Sequence, residues 1–194
     1  MNSGPGSTGD VRVLPVTAER LADLERFSTE HGTFRYCSCM RWRLSSTEFR
    51  KSSKQDRVAA LAGLVDQGVP IGVLAYAGPA PVGWCSIAPR TTYRALERYR
   101  GLPRLDDAPV WSVVCFFVDR HHRSRGLAVS MLRGAVRYAR EEGAEVVEGY
   151  PVSKGALYNY MGTPEVFREA GFDDVTPAGQ ARTVMRWYAT AGGR

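Results

Sequence analysis

Apolar positions change their spacing along the chain, and each change marks an element. Val11 to Val16 is a short apolar run of strand length. Thr17, with Glu19 behind it, offers a helix start, since a hydroxyl can accept an orphan first-turn N–H and an acid suits the positive helix end. Leu21, Leu24 and Phe27 then recur at helical spacing, and Gly32 marks the stop. Phe34 to Arg43 shows no such spacing and reads as a loop. Ser45-Ser46-Thr47-Glu48 has the form of a capping box. It opens a second helical region reaching about Gln67, with Val58, Leu61, Leu64 and Val65 on one face.

The spacing then turns to that of strands. Ile71 to Ala77 and Val82 to Ala88 flank the turn Gly78-Pro79-Ala80-Pro81 and predict a hairpin. Val110 to Val118 is apolar almost throughout, as expected of a central strand covered on both faces. Residues 126 to 142 predict the strongest helix, with Ala128, Leu132, Ala135 and Ala139 on one stripe, Arg133, Arg137 and Arg140 facing away, and Gly143 to end it. Glu145 to Val152 is a further strand. Thr163-Pro164-Glu165 starts a short helix that ends at Gly171. Phe172 to Val175 and Thr183 to Tyr188 complete the sheet. The predicted fold class is α/β, with a mixed, twisted sheet of six to seven strands flanked by about four helices. The sheet must be mixed because a hairpin is embedded among the helices.

Composition narrows this picture. The 194 residues suit one domain, placed at 10–190, with residues 1–9 a disordered N-terminal segment and 191–194 a flexible tail. No apolar run approaches the ~20 residues of a membrane helix, and MNSGPGSTGD has neither a basic nor an apolar signal region. The expectation is a soluble cytoplasmic protein without a membrane partner. Of 26 basic residues only Lys51, Lys54 and Lys154 are lysines, giving a net charge of +6 dominated by arginine. Arginine favours bidentate contact with phosphate or carboxylate, so the excess permits an anionic partner without identifying one. The Arg-rich connector from Arg90 to Arg104 reads as a solvated amphipathic turn built on Tyr93 and Leu96 rather than a nucleic-acid surface. Cys37, Cys39, Cys85 and Cys115 read as free, mostly buried thiols. Their spacing, like that of His31, His121 and His122, offers no metal site.

The chemistry concentrates after the central strand. Cys115-Phe116-Phe117-Val118 leads into the basic loop Asp119-Arg120-His121-His122-Arg123-Ser124-Arg125, and Gly126-Leu127-Ala128 opens the long helix. The small residues let a ligand approach the backbone, the helix start supplies unpaired N–H groups, and the arginines supply countercharge. This suits a pyrophosphate. The pattern Arg123-x-x-Gly126-x-Ala128 resembles the acyl-CoA signature R/Q-x-x-G-x-G/A of the GNAT superfamily of N-acetyltransferases. The order of elements from residue 11 to 189 resembles the GNAT fold, and Val166-Phe167-Arg168-Glu169-Ala170-Gly171-Phe172 resembles the family's late helix.

The resemblance implies an acetyl-CoA-dependent N-acyltransferase that acts on a primary amine, more readily on a small molecule than a protein, by direct attack in a ternary complex. It implies that Phe116, Phe117 and Val118 pair their backbone with the pantetheine arm, with the Phe116 N–H polarising the thioester carbonyl. It implies that Arg123, Ser124, Arg125, Gly126, Leu127 and Ala128 hold the pyrophosphate. Many members dimerise, and a homodimer is compatible with this chain. Where the family often places an acid tyrosine this chain has Phe167, and Ser112 stands where some members place a basic glutamate. Tyr160 is the substitute acid and Glu148 the substitute base, whose proton affinity burial would raise. Tyr36, Met40 and Trp42 are candidates for the acceptor wall. Phe167 and Ser112 also keep open a non-catalytic acyl-CoA-binding sensor or degenerate enzyme.

Overall fold

The computed structural model describes residues 11–31, 39–123, 126–152 and 160–189. The two predicted terminal segments, Gly32, Tyr36, Cys37, Ser124 and Arg125 lie outside the described residues. In chain order the elements are β1 (Val11–Pro15), α1 (Ala18–Glu30), α2 (Ser46–Lys51), α3 (Lys54–Asp66), β2 (Val73–Ala77), β3 (Ala80–Pro89), α4 (Arg94–Glu97), β4 (Val110–Val118), α5 (Leu127–Glu141), β5 (Val146–Gly149), α6 (Pro164–Glu169), β6 (Asp173–Asp174) and β7 (Met185–Tyr188). Short 3-10 turns at Arg90–Thr92 and Arg120–His122 precede α4 and follow β4.

The seven strands form one sheet in the order β1-β2-β3-β4-β5-β7-β6. Only β4 and β5 run parallel; every other neighbouring pair is antiparallel. One face carries α5 and α6 over a core that includes Val113, Phe116, Val118, Met131, Leu132 and Phe167. The other carries α1 and α3 over Leu24, Phe27, Leu61, Trp84 and Cys115. β4 is buried on both faces, as its apolar run predicts.

The predicted second helix is two helices. Ser45 and Ser53 each accept from the backbone of the third helical residue, and Glu48 and Asp56 return the bond. The second box, Ser53-x-x-Asp56, interrupts what the apolar spacing alone joins together. α4 is a further short helix within the Arg-rich connector. Thr17 and Thr163 make no side-chain cap. Gly143, at φ +89°, lies just past the end of α5.

Two irregularities prepare the site. In the β3–β4 pair Ser86 faces Cys115 while Ile87 faces Val113, so Val114 is the extra residue of a β-bulge. Val114 and Cys115 therefore both point away from α5, and Phe116 returns to the α5 face. The β4–β5 ladder ends at Val113 and Gly149, leaving the second half of β4 without a β5 partner.

Candidate active site

Beyond the bulge, β4 delivers the chain to the start of α5. Gly126 is its N-cap in the left-handed region, φ +69°, and supplies no side-chain cap. The first-turn N–H groups of Leu127, Ala128 and Val129 have no intrahelical acceptor. Among the described residues a Cβ built on Gly126 would meet nothing within 4 Å. The Leu127 side chain is buried in the core, which leaves only its backbone to the cradle. An uncapped end of a 15-residue helix behind a left-handed glycine fits a pyrophosphate.

The turn before the cradle is shaped by Asp119, which the sequence reading did not single out. Its carboxylate accepts the His121 N–H at 3.2 Å, lies 3.2 Å from His122 Nδ1 and lies 3.6 Å from Nε2 of His31 at the end of α1. Partial burial would raise its pKa, but the His121 and His122 bonds and the nearby His31 outweigh that and hold it below the usual carboxylate range. Arg123 is folded back onto β4. Its Nε donates to the Val118 carbonyl at 3.1 Å, and its guanidinium lies 5.8 Å from the Phe117 ring centre.

The backbone expected to receive pantetheine is engaged within the chain. The Phe116 N–H donates to the Tyr160 carbonyl at 2.6 Å. Tyr160 also stacks its ring on Phe117, with centroids 6.2 Å apart. The structure thus brings Tyr160 against the stretch of β4 that the motif singled out. An oxyanion role for the Phe116 N–H requires that Tyr160 yield it.

Glu148 is buried at 1% exposure on β5, directly opposite Ser112 of β4 and Arg186 of β7. One of its oxygens accepts from Arg90 at 2.8 Å and from the Tyr150 hydroxyl at 2.6 Å; the other accepts from Arg186 at 2.8 Å. Arg90, 2% exposed, further donates to Glu97, to the Tyr150 oxygen and to the Leu102 carbonyl. Arg186 reaches on to Asp106, whose pKa this bond lowers. Glu148, the candidate base, therefore sits inside an ion-pair cluster, with both of its oxygens accepting bonds from other side chains. Burial, then the neighbouring Glu148 charge, pushes the Tyr150 hydroxyl well up, so it stays a proton donor.

The acceptor wall also changes. Met40 is 3% exposed and packs in the α1–α3 core. Trp42 is half-buried, edge-on to Tyr99 at 5.7 Å, and its carbonyl accepts the Ala95 N–H. Phe167 is fully buried, its ring filling the space where Gly149 and Gly162 have no side chain. A cavity of about 420 Å³ lies between α1 and α3, with Leu24, Val58 and Leu61 in its lining and Glu25 and Lys54 contributing charge. Cys39, Cys85 and Cys115 are buried, the Trp84 indole N–H donating to the Cys39 sulfur at 2.8 Å, and no group of three metal-ligating side chains occurs among the described residues. No helix among them is long and apolar enough to cross a membrane.

Besides Asp119, the residues missed by sequence reading are Arg90, Tyr150 and Arg186. A signal existed: strands VVEG and MRWY each carry one charge among apolar neighbours. Opposite charges on adjacent strands suggest a pair, but their adjacency is a fact of topology.

The model of the acetyltransferase (GNAT) family matches residues 36–156, more than half of the chain. The chain belongs to the GNAT acetyltransferase family. Its fold is shared with yncA from Salmonella typhimurium, solved with its cofactor acetyl-CoA. That match has 13% identity, covers 95% of this chain and 96% of the other, and has a TM-score of 0.56. An agmatine N-acetyltransferase matches at 13% identity over 93% of this GNAT chain and 100% of its own, TM-score 0.56. A ribosomal-protein-alanine N-acetyltransferase from Brucella melitensis matches at 15% identity over 92% and 99%, TM-score 0.52. No curated protein matches the sequence.

Proposed function

We propose that this GNAT chain is an N-acetyltransferase that moves the acetyl group of acetyl-CoA to a primary amine of a small molecule, with residues 10–190 acting as one cytoplasmic domain. The observation that carries the reading is the parting of β4 from β5, followed at once by the uncapped start of α5. A strand edge beside a helix N-terminus accommodates an extended arm that ends in phosphates.

In this reading the backbone of residues 126–128 holds the pyrophosphate, with Arg123 and Arg125 as countercharge and Ser124 as a hydroxyl donor. Phe116, Phe117 and Val118 line the arm, and Tyr36 and Trp42 face the acceptor. The neutral amine attacks the thioester carbon, the N–C bond forms and the C–S bond breaks. The amine releases its proton to solvent and the departing sulfur takes one from the Tyr160 hydroxyl. Tyr160 is assigned the acid because its backbone and ring already meet Phe116 and Phe117. Glu148 is left out of proton transfer because its oxygens are occupied.

Calorimetric titration with acetyl-CoA, followed by turnover with a panel of amines, tests the reading. Micromolar binding and turnover are expected, and a folded protein that ignores acetyl-CoA overturns it. Tyr160→Phe is expected to lower kcat by about tenfold or more with little change in acetyl-CoA affinity. A wild-type rate removes Tyr160 from the mechanism. A second reading, an acyl-CoA-binding sensor, is favoured by the engagement of the Phe116 N–H with the Tyr160 carbonyl. Tight acetyl-CoA binding without turnover of any amine selects it.

A further inference from the structure

The β4–β5 ladder stops at Val113 and Gly149, and the residues on either side of that end are held in an unusual way. Tyr150, the first residue past β5, is 1% exposed. Its ring packs in one cluster with Val114, the bulge residue of β4. The hydroxyl reaches back across the last rungs to Ser112 at 2.8 Å, Glu148 at 2.6 Å and Arg90 at 2.7 Å.

The proton inventory of this cluster closes. Tyr150 has one proton, and it goes to Glu148 Oε1, which can only accept. Arg90 can only donate, so it fills one lone pair of the Tyr150 oxygen. The bond with Ser112 must then run from the serine hydroxyl to the remaining lone pair. A phenol with one bond given and two received has a fixed orientation. Its three partners come from β4, β5 and the turn after β3, so it ties those segments at the point where the strands part.

A need for stability alone does not account for this design. A buried ion pair is often no better than apolar packing of the same volume. What apolar packing lacks is direction. On the opposite face the Phe167 ring lies against Gly149, where an added Cβ would come within 2.0 Å of it. The end of β5 is therefore held from both faces.

We propose that Tyr150, seated on Ser112 and Glu148 and oriented by Arg90, is a positioning residue that fixes where β4 and β5 part and thereby the placement of the Phe116 N–H at the acyl-donor slot. The slot itself rests on the acetyl-CoA reading above; the placement of Phe116 does not.

The test uses Tyr150→Phe, Ser112→Ala and the double variant in the full chain. Both single variants remove the Ser112–Tyr150 hydrogen bond without touching the surface, and Tyr150→Phe removes the bonds to Glu148 and Arg90 as well. In the ligand-free protein, amide hydrogen exchange by NMR is expected to quicken by about tenfold at Val114, Cys115 and Phe116 in Tyr150→Phe and by less in Ser112→Ala, with α1 and α3 amides unchanged. The double variant should exchange no faster than Tyr150→Phe, because Ser112→Ala removes only a bond that Tyr150→Phe has already removed. Acetyl-CoA affinity should fall by about tenfold in each variant, with kcat at saturating donor changing less. Exchange at 114–116 that stays at the wild-type rate, or quickens uniformly over the whole chain, overturns the proposal and makes Tyr150 an ordinary stabilising contact. Should the wild-type protein fail to bind acetyl-CoA, the slot reading fails while the exchange measurement still decides the role of Tyr150.

Discussion

The two ends of β4 carry arginines under opposite rules. At the start, Arg90 and Arg186 are sealed from water, and Glu148 between them spends both oxygens on their donors. At the end, Arg123 is exposed, α5 begins behind a glycine that supplies no side-chain cap, and among the described residues nothing stands within 4 Å of a Cβ built on Gly126. Buried polar groups engaged with one another are closed to a ligand and hold the frame. Backbone donors left over at an exposed helix start have capacity to offer. The difference tells frame from site better than residue type does, because the same guanidinium serves both ends.

Breaking the frame should cost most. Glu148→Ala leaves two buried guanidiniums short of their shared anion, and a loss of about 3–5 kcal/mol is expected in urea unfolding. A loss under about 1 kcal/mol would mean that water enters and that the cluster is not the frame. Opposing charge at the cradle should act on binding rather than folding. Gly126→Glu places a carboxylate where phosphate is expected, and acetyl-CoA affinity should drop by about 100-fold or more, roughly 2.7 kcal/mol. The left-handed φ adds a strain of about 1 kcal/mol to folding. Unchanged affinity would remove the cradle from the site.

The smallest effect tests the comparison at an exposed ion pair. The Ser45 hydrogen bond, then Arg94, lowers the Glu48 pKa from 4.5 to about 2. A depressed carboxyl stabilises the fold above its unfolded pKa and loses that contribution as pH falls through its folded value. The melting-temperature gap between wild type and Glu48→Gln should therefore be present at pH 6, shrink below pH 4.5 and vanish near pH 2. A gap that persists at the acid end would show that the amide harms the fold by another route.

Much of the fold was legible because it rests on local signals. The continuous run Val110 to Val118 can satisfy its apolar surface only inside a sheet, and β4 spans those residues. The stripe through Leu132, Ala135 and Ala139 needs a helix to become one face, and α5 provides it. The break between α2 and α3 was also written locally, in Ser53 and Asp56, but a longer apolar stripe masked it. The cradle was legible for the same reason as the helices: a glycine, a small residue and a helix start lie within three positions of one another.

The partners of Glu148 were not legible. Arg90 is 58 residues away and Arg186 is 38, and no periodicity links them. A carboxylate buried among apolar residues and one buried between two guanidiniums are different groups chemically, and only the register of β4, β5 and β7 decides between them. The packing of Met40 was not legible for a related reason. A thioether in a loop can line a pocket or fill a core, and packing against α1 and α3 chose the core.

The sequence by itself determined where the chain could hide its apolar residues and where a helix would begin beside open backbone, since both follow from neighbours within about one turn or one strand. The tertiary structure alone decided which charges meet, because pairing energy falls with distance in space and carries no trace of distance along the chain. For that reason the phosphate cradle could be read from Gly126 and its neighbours. The roles of Glu148, Tyr150 and Arg90 had to wait for the strands to be laid side by side.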